Sequence, residues 1–94
     1  MTASSFTISD VRVTPGSAAD VAAGLLGWVS CIIDDRLYLD GITLRMTSSG
    51  RLALSFPERR TATGSYAYMR PVDGPARRDI EQAIFRAIAT KVAP

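Results

Sequence analysis

Two hydrophobic periods divide the chain. Through residue 72 apolar side chains alternate with polar ones or run together in short blocks, the spacing of β-strands. From residue 80 onward they recur every fourth position, the spacing of a helix face. Residues 6–13 are rich in β-formers, with Val11 and Val13 alternating against Asp10 and Arg12. Phe6 and Ile8 fall in the opposite phase, so a bulge near Ser9 and Asp10 is needed to bring both sets to one face. Residues 14–20, TPGSAAD, carry turn chemistry through Pro15 and Gly16. Residues 24–33, GLLGWVSCII, follow as an apolar run. Its length, its β-branched Val29, Ile32 and Ile33, and Gly27 in mid-run favour a strand over a helix. It is the expected central strand, covered on both faces, with Trp28 in the core.

Asp34, Asp35 and Arg36 make a tight polar turn into residues 37–46, where Ile42, Leu44 and Met46 alternate with Thr43 and Arg45. Asp40 and Gly41 interrupt this strand and predict a bend or bulge. After the turn TSSG at 47–50, Leu52, Leu54 and Phe56 alternate with Ala53 and Ser55 as a further antiparallel strand. Residues 57–65, PERRTATGS, hold no apolar side chain larger than alanine and are expected to be an exposed loop. Residues 66–72 can form a short last strand bounded by Pro71. Asp73 or Gly74 then caps a helix with Pro75 in its first turn. Ile80, Ile84, Ile88 and Val92 form its buried stripe, with Ala83 and Ala87 beside them, while Arg78, Gln82 and Arg86 share a wet face. Asp79 and Glu81 near its start and Lys91 near its end suit the helix dipole. About five meandering strands and a terminal helix make an α+β fold with an antiparallel sheet.

The 94 residues allow one domain, with its core over about residues 6–92. At 47% hydrophobic and 21% charged, with a mean hydropathy of +0.12, the chain is too apolar for disorder. It also lacks the ~18 consecutive apolar residues of a membrane span. The opening MTASSFTISD has neither the basic nor the apolar region of a signal peptide, so the mature chain is expected to start here. With one cysteine, Cys31, and no histidine, neither an internal disulfide nor a Cys/His zinc site can form, and a reducing cytoplasm fits.

Net charge of +2 conceals a division. Residues 1–44 carry two arginines against five aspartates, and residues 45–94 carry nine bases against four acids. Ten of the eleven bases are arginine, whose planar fork grips phosphate in two places, although a GC-rich genome also raises arginine over lysine. A basic half of this kind points to a polyanion. Arg59 and Arg60, in a segment rich in Ser, Thr and Gly, are the leading phosphate contacts. Arg77, Arg78 and Arg86 would extend the patch along the helix, and Arg51 with Arg70 would complete it if the sheet brings them near. Tyr66 and Tyr68 alternate on one face beside these arginines and are candidates for base stacking or for a dimer contact.

Catalysis is not expected. Asp34, Asp35 and Asp40 could in principle hold Mg²⁺, but their positions suit turns and bends better. Cys31 sits in an apolar strand with no base to activate it, and no phosphate-binding or dinucleotide fingerprint occurs. No metal, cofactor, small-molecule substrate or membrane partner is therefore expected.

The order of motifs resembles the stage V sporulation protein G (SpoVG) family of small bacterial septation and regulatory proteins. The resemblance runs from Ile8 to Ile88. It begins with Ser9, Asp10, Val11, Arg12 and Val13, then the central apolar strand leading to Leu39, Asp40, Gly41, Ile42, Leu44 and Arg45. It continues through Gly50, the stretch 52–57, the pair Arg59 and Arg60 with Thr61 and Gly64, Pro71, and Arg78, Ile80 and Ala83. It implies a compact α+β domain, self-association into dimers, and sequence-tolerant binding of DNA and RNA linked to gene control. Met69 and Arg70 stand where the family usually carries a histidine before the proline, and the loop 15–23 is longer. A homodimer is also expected on physical grounds, because one short helix does not cover both faces and both edges of so apolar a sheet. The competing function is a protein-interaction module of the division or regulatory machinery that never touches nucleic acid.

Overall fold

The alternating half of the chain folds as a meander. The computed structural model describes residues 6–92. In it β1 (Ile8–Pro15), β2 (Leu25–Ile33), β3 (Leu37–Met46) and β4 (Leu52–Ser55) pair in that order as an antiparallel sheet of four strands. A separate two-stranded antiparallel sheet follows, β5 (Glu58–Thr61) with β6 (Gly64–Ala67). The helices are α1 (Ala18–Ala22) and α2 (Gly74–Val92). The α+β class and the terminal helix are as expected, with six strands in two sheets. Residues 1–5 and the side chains of Lys91 and Val92, expected as a plain start, a dipole partner and the last position of the stripe, lie outside the described residues.

Both predicted irregularities occur, and they flank the same point of β2. On β1 the register shifts between Ser9 and Arg12, and Asp10 has φ 50°, so Asp10 and Val11 together oppose Cys31. On β3 the register shifts opposite Ser30, where Asp40 and Gly41 stand against one residue and Gly41 has φ 76°. A bulge bends its strand and sharpens the twist. Two of them astride Ser30 and Cys31 curve the sheet at mid-height. The β2–β3 turn places Asp34 and Asp35 at φ 52° and 54°, the left-handed pair that matches strand twist in a tight hairpin. Asp34 also clamps the start of the chain: its Oδ1 accepts the Thr7 N–H at 2.8 Å, and its own N–H donates to the Thr7 carbonyl at 2.9 Å.

The core lies on one face only. Val11, Val29, Cys31, Leu39, Ile42, Leu44 and Leu54 point toward α2, which contributes Ile84, fully buried, with Ile80, Phe85, Ala87 and Ile88 packed around it. Alternation then turns Trp28, Ser30 and Ile32 of β2 to the outer face, where they are half-buried. The central strand is therefore covered on one face rather than two, and Trp28 stands outside the core cluster. In a uniformly apolar run only the neighbouring strands decide which parity faces inward.

Two further expectations change. Residues 14–20 are more than a turn: Ser17 caps α1, its Oγ accepting the Asp20 N–H at 3.1 Å while Asp20 Oδ2 accepts the Ser17 N–H at 3.0 Å. This reciprocal box lets five residues hold a helix. Residues 57–65 are not a loop but most of the β5–β6 hairpin, and the last strand ends at Ala67 instead of reaching residue 72. At the entry to α2, Asp73 is the cap, accepting the Ala76 N–H at 2.8 Å on Oδ1.

At Gly27 of β2 the β1 backbone passes so near that an added β-carbon would overlap the Thr14 carbonyl. Replacing Gly27 with alanine should destabilise the domain by about 1–3 kcal/mol, read as a lower urea midpoint at unchanged slope. An unchanged midpoint would mean that the strands can part at no cost.

Candidate nucleic-acid interface

The β5–β6 hairpin carries the leading arginines on a ribbon with no apolar support. All eight of its strand residues are exposed, and it packs chiefly on itself. Register fixes what each face presents. Arg59 lies opposite Tyr66 and Thr61 opposite Gly64 on one face, while Arg60 lies opposite Ser65 and Glu58 opposite Ala67 on the other.

The tip is tied by hydroxyls. Ala62 and Thr63 form the turn, and Thr61 Oγ1 lies 3.2 Å from Thr63 Oγ1 and donates to the Gly64 carbonyl at 3.1 Å. Thr63 Oγ1 lies 3.2 Å from the Tyr66 hydroxyl. At the foot, the Tyr68 N–H donates to the Pro57 carbonyl at 3.1 Å, continuing the ladder one step beyond β6. Arg70 lines a hollow there with Glu58, Ser65, Tyr66 and Ala67.

The ribbon and its foot thus bear Arg59, Arg60 and Arg70 against one carboxylate, Glu58. None of the three arginines forms an ion pair among the described residues. All three are exposed, which is the condition a phosphate contact needs. Tyr66 and Tyr68 are 53% and 66% exposed beside them.

The other predicted arginines divide. Arg78 is exposed in the first turns of α2, joined to the ribbon's foot through residues 68–73. Arg77 is committed within the fold. Its Nη1 donates to the Leu54 carbonyl at 3.2 Å and lies 3.5 Å from Glu81 Oε2, and its guanidinium stands 5.5 Å above the Phe56 ring. Arg77 therefore seats α2 on β4 and leaves the proposed patch. Arg51 sits in the β3–β4 turn, at the end of the sheet away from the Asp34–Asp35 turn. Arg86 lies against Phe6 and Ile8, beside the β1 edge, with the ribbon leaving from the β4 edge. The fold brings neither Arg51 nor Arg86 to the ribbon, because they occupy an end and an edge remote from it.

The remaining chemical candidates are engaged locally. Asp34 holds the Thr7 backbone, and Asp40 Oδ1 accepts the Gly41 N–H at 2.8 Å. Burial pushes the Cys31 thiol above its ordinary value and keeps it protonated at neutral pH. Since the unfolded chain ionises at a lower pH than the native one, this thiol lowers native stability only on the alkaline side. No protein-family model matches this chain. No curated protein matches it either.

Sequence reasoning passed over the hydroxyl cluster of Thr61, Thr63 and Tyr66. The i, i+2 spacing of two threonines before a glycine was its one visible signal.

The two classes of arginine should separate experimentally. Arg77→Ala loses a hydrogen bond and a cation–π contact and should cost about 1–2 kcal/mol of stability, read by urea denaturation. Any affinity for nucleic acid, with its salt dependence, should be unchanged. A stable variant with weakened binding would return Arg77 to the interface.

Proposed function

We propose that the protein is a nucleic-acid-binding regulator that holds DNA or RNA through the phosphate backbone, with Arg59 and Arg60 as primary contacts and Arg70 and Arg78 beside them. The observation that carries this reading is a ribbon of exposed, unpaired arginines that the domain's core does not use. Buried or paired arginines would have a structural explanation, and these have none. The tip hydroxyls are spent on one another and on the Gly64 carbonyl, so the guanidinium groups supply the phosphate contacts. Binding of this type is sequence-tolerant and strongly salt-dependent. The resemblance to the SpoVG family supports a role in septation-linked gene control, in a cytoplasm where the lone thiol stays reduced.

A specific feature also favours self-association. Leu37, Tyr38 and Val72 are 55%, 59% and 89% exposed. Leu37 joins Ile33, Leu39, Phe56, Met69, Pro71 and Ile80, with Arg70 among them, in lining a hollow of about 180 Å³. We propose that a twofold homodimer covers this end of the sheet, which would set two ribbons on one particle. The same surface suits the competing reading, an interaction module for other proteins.

Replacing both Arg59 and Arg60 with alanine should weaken binding to unrelated DNA and RNA sequences alike. The slope of log affinity against log salt should become shallower by roughly one to two units per subunit engaged. Stability should move by no more than ~0.5 kcal/mol. A folded double variant with unchanged affinity and slope would remove the ribbon from the site and favour the interaction module. Sedimentation equilibrium at micromolar protein should return twice the chain mass of 10.1 kDa. A single-chain mass would reject the dimer.

A further inference from the structure

Arg59 and Arg60 are neighbours in sequence but point to opposite faces of the ribbon, since side chains alternate along a strand. A single strand laid against one face meets one of them. Two phosphate rows, one on each side, are needed to meet both.

Resting on the phosphate-binding reading above, we infer that the ribbon enters the major groove of duplex DNA tip first, with Arg59 reaching one backbone and Arg60 the other. The dimensions agree. The B-form major groove is about 12 Å wide and about 8.5 Å deep and admits a two-stranded ribbon, while the minor groove, about 6 Å wide, does not. Strands of four residues at about 3.3 Å per residue span roughly 13 Å, enough to carry the Ala62–Thr63 turn to the groove floor.

Charge follows the same division. One face offers Arg59 to a backbone and the other offers Arg60 with Arg70 near its foot, offset by Glu58 alone. At the tip the Thr61 and Thr63 hydroxyls are engaged within the turn, so the ribbon brings few groups able to read base edges and imposes little sequence choice. Duplex RNA does not admit this mode, because its major groove is too narrow for side chains to read, and would be held only by its backbone from outside.

The test compares one random sequence as duplex DNA, single-stranded DNA and duplex RNA, using wild type, Arg59→Ala, Arg60→Ala and the charge-retaining pair Arg59→Lys and Arg60→Lys. Duplex DNA should bind best. Each alanine substitution should weaken duplex binding by about tenfold and reduce the salt slope by about one, and the lysine pair should retain the slope. A duplex whose major groove is filled by glucosylated hydroxymethylcytosine should lose binding, and saturation of the minor groove with a small ligand should not matter.

If single-stranded DNA binds as tightly as the duplex, or the filled groove binds as well as the open one, the groove placement falls and the phosphate-contact reading stands. If neither arginine affects binding to any of the three nucleic acids, both fall. Unchanged circular dichroism in each variant keeps loss of binding separate from loss of fold.

Discussion

One helix has to close a sheet of four strands, and the architecture follows from how that is managed. α2 delivers a single fully buried side chain, Ile84, into the middle of the sheet, with Ile80 and Ile88 a turn away on either side. A flat sheet would leave its outer strands beyond the reach of such a stripe. Bulges at Asp10 and at Gly41 bend β1 and β3 and sharpen the twist of the sheet. Arg77 then fixes the helix start to the end of β4 by gripping the Leu54 carbonyl and covering Phe56. Fully burying one such aliphatic side chain contributes about 1.5–3 kcal/mol, so the placement of α2 decides whether the domain is stable at all.

That solution spends the helix on one face. Trp28, Ile32 and Tyr38 remain on the other, and the β5–β6 ribbon receives no apolar support from the body. The ribbon is ordered instead by its ladder and by the Thr61, Thr63 and Tyr66 hydroxyls. Short two-stranded ribbons are marginal in water when they stand alone. The structure therefore has a stable half, built from packing, and a polar half, built from local hydrogen bonds and carrying exposed arginines.

Much of the packed half is legible in the sequence because packing leaves a period. The phase change between Ile8 and Val11 announces a bulge, Asp40–Gly41 announces another, and the isoleucine spacing announces the helix face. The polar half leaves no such trace. Residues 57–65 bury nothing, so their pairing has no hydrophobic alternation to betray it, and Arg59 and Arg60 read as a loop. α1 is too short to show a period, although Ser17 and Asp20 hold the spacing of a capping box. An unbroken apolar run carries no phase of its own, so nothing in it marks Trp28 as facing outward. Arg77 could be separated from Arg78 only through the Glu81 four residues on, a pairing that does not reveal contacts to Leu54 or Phe56.

The independence of the ribbon has an evolutionary consequence. Its connections to the body are confined to the stretches beside Phe56 and Arg70, and no core side chain comes from β5 or β6. Substitutions there escape the volume and polarity limits that govern Val29 or Ile42, so the segment can vary in length and charge while the scaffold is held fixed. Selection can thus retune the surface that the ribbon presents without first repairing the protein's stability, and drift in the scaffold need not disturb that surface.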